Sequence, residues 1–343
     1  MIHKNIIQQI KNHDGKEPQE NPFQLLHNEL RQALSLYWEI ATQMLDQSGI
    51  TVFPPEADCF SLEKNFFSAL FLYSYFRMEI PVSRRILYAA ANQCLRGMVT
   101  GCDNILDNEY KKTLDTDLPE QATRFRSILD IMISDRVLFA ILHRGYLNND
   151  LTFDQIQPAT FASLRTLAKS GAQEASEECG AGTILPPEDI LNKVHHYKTG
   201  ILFQSPWALP DIIDTPHLKD TASVKDALFN IGMGCQILDD MVDVAMDLRM
   251  NRHNYVVSLI HHGKDQKERT ALGAIHRADD TVEEDKDLLL AFPHARKIAA
   301  GTALTFLRNG TQALFAQEHD FMIEISISMI AQRIGADNLL FGV

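Results

Sequence analysis

Two groups of aspartates lie inside segments of the chain that are otherwise largely apolar. The first group is Asp103 and Asp107, within the segment MVTGCDNILDNE. The second group lies within NIGMGCQILDDMVDVAMD and consists of Asp239, Asp240, Asp243 and Asp247. Residues four positions apart share one face of a helix, so each group presents several carboxylates in one direction. This arrangement predicts two sites that attract cations.

Divalent cations would explain why these carboxylates are tolerated in apolar surroundings. Like charges at this spacing repel, and unpaired carboxylates are costly to bury. Magnesium prefers oxygen ligands and commonly bridges carboxylates to substrate phosphates. Two such groups on facing helices would clamp a diphosphate through several ions and offset the charge on a leaving group. The alternative is two solvated acidic helix faces. The small residues beside the aspartates disfavour this alternative; they are Gly101, Cys102, Gly232 and Gly234.

Helices are predicted for nearly the whole chain. In the first, apolar residues recur every three or four positions between Leu26 and Met44. Further helices are expected at about 62–78, 82–110, 119–146, 153–178, 187–207, 221–250, 267–276, 293–316 and 320–334. The helices at 82–110 and 221–250 carry the aspartates and are apolar on more than one face, which is typical of helices inside a bundle. No alternation of polar and apolar residues indicates a sheet.

The composition favours one all-α domain. The chain has 343 residues, of which 45% are hydrophobic, and this suffices for a sizeable core. No linker rich in Gly, Ser or Pro divides the chain. We therefore expect a single large helical bundle over residues 23–343, preceded by a polar N-terminal extension at 1–22. The acidic segment 278–285 is interpreted as a solvated loop.

Charge and hydropathy argue against several classes of protein. A net charge of −13 disfavours nucleic-acid binding, which normally requires a basic surface. No uncharged apolar run reaches the roughly 18 residues that a membrane-spanning helix needs. The polar N-terminus lacks the apolar block of a signal peptide, and the five cysteines form no Cys-x-x-Cys pair. These features predict a cytoplasmic protein.

The two acidic segments resemble the aspartate-rich motifs of the trans-prenyl diphosphate synthases, which have the class I isoprenoid synthase fold. The first family motif, D-D-x-x-D, reads here from Asp103 through Asn104 to Asp107, and the second, Q-x-x-D-D-x-x-D, is matched in full from Gln236 to Asp243. The remaining matches fall in the family's order along the chain: Ser134-Asp135, Gly171-Ala172-Gln173 and Lys198-Thr199.

The resemblance implies a role for each matched residue. The magnesium ligands would be Asp103, Asp107, Asp239 and Asp243. Lys198 would hold the diphosphate of an allylic prenyl substrate, and Thr199 and Gln236 would line the reactive carbon. The implied protein is a homodimeric prenyltransferase that ionises this substrate and protects the resulting cation with apolar helices.

Two departures from the family pattern concern binding of charged groups. Asn104 replaces an aspartate, which we expect to weaken the first metal cluster. The segments that bind isopentenyl diphosphate in the family, Gly-Gly-Lys-Arg and Arg-Arg-Gly, read here 62–65 (LEKN) and 110–113 (YKKT). Lys64 and Lys112 are the predicted remaining contacts, and lysine lacks arginine's two-pronged fork. Arg84 and Arg85 are interpreted as a surface pair.

The segment after the second motif opens alternatives to chain elongation. Arg252 and Tyr255 resemble residues that follow an aspartate pair in squalene and phytoene synthases, and Arg252 is a predicted substrate contact. Head-to-head condensation and cyclisation as in a terpene cyclase therefore remain open. A weakly catalytic regulatory subunit of a heteromeric synthase and a helical scaffold without activity are further alternatives.

The helical face below Asp103 predicts a deep substrate pocket. Leu95, Met98 and Val99 lie along that face and none is aromatic. We expect room for a chain longer than a farnesyl group, although these residues could equally be ordinary core.

Overall fold

The computed structural model describes residues 22–214, 218–275 and 288–341. The first half contains the helices α1 Pro22–Leu45, α2 Phe66–Arg77, α3 Val82–Leu106, α4 Thr123–Leu147 and α5 Phe153–Glu177. The second half contains α6 Thr221–Val242, α7 Val244–Met250, α8 Tyr255–His262, α9 Gln266–Ile275, α10 Pro293–Leu314, α11 Met322–Ile334 and α12 Asp337–Phe341. Short 3-10 turns lie at Ala57–Phe60, Leu288–Ala291 and Gln317–His319.

A composite helix joins the two halves of the bundle. It begins with one α-turn at Pro187–Asp189 and continues as a π-helix over Ile190–Gly200. The run then passes through Ile201–Gln204, Ser205–Trp207 and Ala208–Ile213 without leaving helical geometry. Helices of the π type are rare and occur mostly at functional sites, because their extra residue per turn redirects side chains.

The described residues form the all-α bundle that the sequence predicts. Their buried apolar side chains make one cluster, to which the helices from α1 onward contribute. The only β pairing among these described residues is an isolated antiparallel bridge between Val52 and Thr116. No helix in the described ranges is long and apolar enough to cross a membrane.

Glycines bring α6 close to its neighbours. A Cβ on Gly232 would lie 2.7 Å from the Thr199 carbonyl oxygen of the composite helix. A Cβ on Gly310 of α10 would lie 2.7 Å from the Ala227 carbonyl oxygen of α6. Both distances are below van der Waals contact, so only glycine permits these crossings. Gly232 and Gly310 therefore permit the close packing of α6 against the composite helix and α10.

Several predicted boundaries and one surface assignment are wrong. The helix expected at 221–250 is interrupted at Asp243, and that expected at 82–110 ends at Leu106. The helix α8 follows at Tyr255–His262, where none was expected. Arg85 is buried rather than exposed, because its guanidinium forms an ion pair with Glu29 of α1.

Two predicted features fall largely outside the described residues. The polar extension predicted at 1–22 lies outside them except for Pro22, which is the first residue of α1. The acidic segment 278–285 lies within the second gap.

Candidate active site

A cavity of about 470 Å³ lies between α2, α3, the composite helix, α6 and the end of α11. Its polar wall includes Asp103, Asp239, Thr199 and Gln236, all of them predicted site residues. The apolar wall includes Phe67, Phe71, Leu95, Val99, Leu202 and Phe203. Phe203 packs edge-on against Phe67 and Phe71, with ring centroids 5.5 and 5.6 Å apart. The cavity therefore has carboxylates on one wall and an apolar surface with aromatic side chains on the other.

Asp103 and Asp239 approach this cavity from different helices. Burial, assisted by repulsion from Glu174 and Asp107, raises the pKa of Asp103 to about 7. Burial, assisted by repulsion from Asp243 and Asp240, raises the pKa of Asp239 to about 7. Solvent reaches Asp239 through the cavity even though protein surrounds it on most sides. Both carboxylates lack a full counter-charge and would gain from a cation.

Asp107 and Asp243 stand one turn beyond these two, at the ends of α3 and α6. The Asp107 carboxylate pairs with the Arg252 guanidinium at 2.8 Å, and both side chains are half-buried. Burial and the nearby Asp240 raise the pKa of Asp243. Arg252, a predicted substrate contact, thus holds one carboxylate of the acidic region.

Asp240 serves the framework rather than the cavity. It is buried and accepts hydrogen bonds from His195 Nε2 at 2.9 Å, Gln236 Nε2 at 3.1 Å and the Tyr255 backbone N–H. Burial alone would raise its pKa, but His195 and the other donors outweigh burial and lower it. Asp240 therefore stays ionised and ties α6 to the composite helix and to α8.

The same network orients Thr199 and Gln236. Thr199 Oγ1 donates to Gln236 Oε1, and Gln236 Nε2 donates to Asp239 Oδ2 at 3.3 Å as well as to Asp240. Both residues line the cavity beside Asp239. The sequence predicts them at the reactive carbon, and the structure brings them together at the polar wall.

Lys198 directly precedes Thr199 on the π-helix. Its Nζ lies 3.4 Å from Glu174 Oε1 of α5. Burial acts to lower the pKa of Lys198, but the carboxylates of Glu174 and Asp240 outweigh it and raise the pKa. The ammonium is therefore charged and faces the acidic region, as binding of an anionic substrate group requires.

Asn104 does not belong to the acidic face, contrary to our expectation. Its side chain is buried, its Oδ1 accepts from the Lys111 backbone N–H at 2.8 Å, and its Nδ2 donates to the Lys111 carbonyl at 3.1 Å. The amide clamps the loop that follows α3. The change from aspartate therefore removes no carboxylate from the cavity.

The predicted lysines lie in different places. Lys64 lines the cavity, although its ammonium pairs with Asp58. Lys112 pairs with Asp115 at 2.9 Å on the surface and is absent from the cavity wall. Lys111, together with Lys198, is a lysine whose charge acts on both Asp103 and Asp239. Their roles as substrate contacts remain predictions.

Other sequence matches serve the scaffold. Ser134 is buried and hydrogen-bonds to the Tyr37 hydroxyl at 3.0 Å, while Asp135 points to solvent. Gln173 Nε2 donates to Glu177 Oε1 at 2.9 Å, and Glu177 Oε2 accepts from the His253 backbone N–H. These contacts hold α5 against the segment after α7.

Sequence reasoning missed three charged residues of this region. Glu174 contacts Lys198, and Arg96 and Arg333 line the cavity. Arg96 stands seven residues before Asp103, so the helical repeat places both on one face and could have identified it. Arg333 lies at the far end of the chain, and no local pattern connects it with α3.

The donors available for magnesium come as pairs from two helices. No group of three or more His, Cys, Asp or Glu side chains converges on one metal position within the described ranges. Asp103 and Asp107 on α3, with Asp239 and Asp243 on α6, are four oxygen donors of the type that magnesium prefers. Such incomplete sets fit ions that take their remaining ligands from water and substrate phosphates.

Known structures were found with the same architecture. No family model matches this chain, and no curated protein matches it. A polyprenyl synthase from Roseobacter denitrificans is 14% identical, with a TM-score of 0.57 over 91% of this chain and 99% of its own. The fold is that of the trans-prenyl diphosphate synthases.

Two further structures support this assignment of the fold. A geranylgeranyl pyrophosphate synthase from Lactobacillus brevis is 17% identical, with a TM-score of 0.55 over 88% of this chain and 96% of its own. A geranylgeranyl pyrophosphate synthetase from the archaeon Geoglobus acetivorans is 16% identical, with a TM-score of 0.52 over 90% and 96%. In the prenyl synthase fold of the present chain, the two acidic helix ends face one cavity.

Proposed function

We propose that this protein is a magnesium-dependent prenyltransferase that ionises an allylic prenyl diphosphate. The observation that carries the proposal is the convergence of Asp103 and Asp239 on one cavity, with the pKa of each raised to about 7 by burial and neighbouring carboxylates. A protein without a cationic ligand gains nothing from such a pair, because burial and the neighbouring carboxylates destabilise both charges.

The proposed arrangement places the substrate diphosphate between α3 and α6. Asp103, Asp107, Asp239 and Asp243 would hold magnesium, which neutralises the diphosphate as it departs. Lys198 would contact the same group directly with its charged ammonium. The Asp107 carboxylate must exchange Arg252 for metal, and this frees the guanidinium to bind the diphosphate as well.

The remaining residues would position and protect the reacting carbon. Gln236 is fixed by Thr199 and Asp240, so its side chain is already oriented before substrate binds. The C1–O bond breaks with its electron pair going to the diphosphate, and this leaves an allylic cation. Phe67 and Phe203 would exclude water from that cation and present aromatic faces to it.

One experiment tests the proposal. The purified protein is incubated with magnesium and geranyl, farnesyl or geranylgeranyl diphosphate, each with and without isopentenyl diphosphate. We expect diphosphate release and a longer prenyl diphosphate that requires isopentenyl diphosphate. Hydrocarbon or alcohol formed without it would instead indicate cyclisation or head-to-head coupling. Absence of diphosphate release under every condition would contradict the proposed enzymatic activity. It would favour the alternative of a regulatory subunit.

We further propose that the protein forms a homodimer through α4. Phe125, Met132 and Phe139 recur along one face of this helix and expose 51%, 59% and 56% of their surface. Exposed apolar stripes of this kind mark protein interfaces. Met132→Glu should convert a dimer into a monomer in sedimentation analysis, whereas an unchanged mass would contradict the α4 interface.

A cytoplasmic location stays a prediction from the sequence.

A further inference from the structure

Two polar side chains line the cavity at the end away from its acidic wall. Asn92 lies on α3, eleven residues before Asp103, which places it about 16 Å from Asp103 along the helix axis. Ser205 lies on the composite helix, six residues after Thr199. Both line the same cavity as Asp103, although they are only 8% and 5% exposed. We call Asn92 and Ser205 the polar floor, and the proposed function gives it no role.

Tyr75 joins the two residues of the polar floor. Its hydroxyl donates to the carbonyl oxygen of Pro206, the residue after Ser205, at 2.7 Å. A carbonyl only accepts, so the Tyr75 proton goes to Pro206, and the Tyr75 oxygen accepts from Asn92 Nδ2 at 2.8 Å. These hydrogen bonds fix the orientation of the Asn92 amide. Its nitrogen faces Tyr75, and its Oδ1 is the amide atom left over.

The polar floor has unused hydrogen-bonding capacity. Asn92 Oδ1 and the Ser205 hydroxyl have no hydrogen-bond partner among the residues that the structure describes. Neighbouring polar groups are paired, since Trp207 Nε1 donates to Ser74 Oγ at 3.0 Å and Ser74 Oγ donates to the Phe71 carbonyl at 2.6 Å. Buried polar groups normally have partners, and one left without a partner destabilises a protein. A ligand that supplies both a donor and an acceptor would satisfy the floor.

A hydroxyl group has the hydrogen-bonding pattern that the polar floor needs. It can donate to Asn92 Oδ1 while it accepts from the Ser205 hydroxyl. An ether or carbonyl oxygen only accepts, and it would leave Asn92 Oδ1 unpaired. The wall around the floor is apolar and includes Phe71, Leu95 and Pro206, which suits a hydrocarbon chain. The ligand that fits this end is therefore a hydrocarbon tail that carries a hydroxyl.

We propose that the polar floor binds a hydroxyl at the far end of the prenyl chain, so that the substrate is an allylic diphosphate with a hydroxylated tail. The inference rests on the proposed function, in which the diphosphate lies at the acidic wall. A plain hydrocarbon tail of the same length would cover Asn92 Oδ1 without pairing it. A site that forms hydrogen bonds to a substrate hydroxyl rejects the analogue that lacks it, because its own polar groups are then left unpaired.

Binding of paired ligands tests the polar floor. The ligands are farnesyl thiolodiphosphate, whose sulfur bridge slows ionisation, and the same compound with a hydroxyl on its terminal methyl group. Calorimetric titration with magnesium gives the affinity of the full-length protein for each. We expect the hydroxylated ligand to bind about 10-fold more tightly, because it pairs groups that the plain tail leaves unpaired. The geranyl and geranylgeranyl pairs are titrated too, since the tail must reach the floor. Equal affinities within every pair would overturn the inference.

A fluorinated tail tests donation to Asn92 in the wild-type protein. Fluorine is close to a hydroxyl in size but cannot donate a hydrogen bond. We expect the ligand with a terminal fluorine to lose most of the preference over the plain tail. A fluorinated ligand that binds as tightly as the hydroxylated one would overturn the pairing with Asn92 Oδ1. This comparison needs no variant, so it holds even if a substitution at Asn92 disturbs Tyr75.

Substitutions locate the preference within the cavity. Asn92→Leu should reduce the preference to about twofold or less, and Ser205→Ala should lower it about threefold, because each removes one partner of the hydroxyl. Asn92→Leu should bind the plain ligand at least as tightly as the wild type does. Ser68→Ala is the matched control, since Ser68 lines the cavity from α2, seven residues before Tyr75. It should keep the full preference. Equal preferences in all three variants would overturn the assignment to the floor.

The proposed function and this inference fail in different ways. Magnesium-dependent binding of the plain ligands without any preference for a hydroxyl overturns the polar-floor inference and leaves the proposed function standing. Absence of magnesium-dependent binding by both members of every pair overturns the proposed function and the inference together.

Discussion

The ends of α3 and α6 carry similar aspartate patterns, yet the structure uses their residues differently. At the end of α3, Asp103 faces the cavity, while Asn104 beside it clamps the backbone of Lys111. At the end of α6, Asp239 faces the cavity, while Asp240 beside it binds His195 and the Tyr255 backbone. In each motif, the first residue faces the cavity and the second holds the scaffold.

This comparison explains why one motif tolerates an amide and the other keeps a carboxylate. The partner at α3 is a loop backbone that offers both a donor and an acceptor, and only an amide satisfies both. The partners at α6 are all donors, and an ionised carboxylate suits them. Substitutions at these positions test this division between cavity residues and scaffold residues.

The largest effect is expected at the residues that face the cavity. Asp239→Asn and Asp103→Asn should each lower diphosphate release by about 1,000-fold, because metal ligation supplies several kcal/mol of charge stabilisation. Each should also unfold at the same or a higher temperature, since a repulsive charge is removed. Enzyme assays and calorimetry on the same preparations measure both. An Asp239→Asn variant with normal turnover would break the comparison.

Asp240→Asn should do the reverse and act mainly on stability. It removes the buried charge that pairs with His195, and loss of one partner of a buried pair costs about 3–5 kcal/mol. Chemical denaturation would measure this loss in the free energy of unfolding. Asp240→Asn and Asp239→Asn form a matched pair one residue apart, so equal unfolding free energies would contradict the assigned roles.

Asn104→Asp restores the aspartate of the family motif and should not increase turnover. The carboxylate could no longer donate to the Lys111 carbonyl and would be buried, at a cost of about 1–3 kcal/mol of stability. We expect turnover within a few-fold of the wild type. Faster turnover or tighter magnesium binding would show that residue 104 faces the metal after all.

Asp247 is expected to affect the pH dependence of stability and not turnover. Burial and repulsion from Asp240 raise its pKa to about 8, against about 3.9 for an unfolded aspartate. The folded protein thus holds a proton that the unfolded chain releases, so stability falls as pH rises from about 4 to 8. In metal-free denaturation experiments, Asp247→Asn should reduce this fall of stability with pH. An unchanged pH dependence would refute the raised pKa of Asp247.

The smallest effect is expected in the magnesium requirement, at Arg252. Arg252→Gln releases Asp107, so magnesium no longer competes with a guanidinium for that carboxylate. Because partly exposed ion pairs contribute below about 1 kcal/mol, the magnesium concentration for half-maximal activity should fall about threefold. A rise in that concentration would show that the pair assists metal binding rather than opposing it.

Much of the fold followed from local patterns. Apolar periodicity located the long helices, and the four-residue spacing of the aspartates showed which ones share a face. The end of α3 was misplaced because the Asn104 side chain binds the Lys111 backbone there, and the end of α6 because the Asp243 backbone leaves α-helical geometry. Periodicity gives no signal for such events.

The parts of the site that escaped prediction depend on contacts between distant segments. Arg333 reaches the cavity only because α11 packs across the bundle, and Glu174 meets Lys198 only because α5 packs on the composite helix. The interpretation of Asn104 as a weakened ligand failed for a related reason. Its partner, Lys111, lies in a loop whose path the sequence does not specify.

The π-helix at Ile190–Gly200 bears on how such a site could change over generations. A π-turn differs from an α-turn by one inserted residue. One codon lost between 190 and 197 would change the register of this helix, from which Lys198 and Thr199 project. Insertions and deletions here, as well as substitutions of the aspartates, would therefore separate active descendants of this chain from inactive ones.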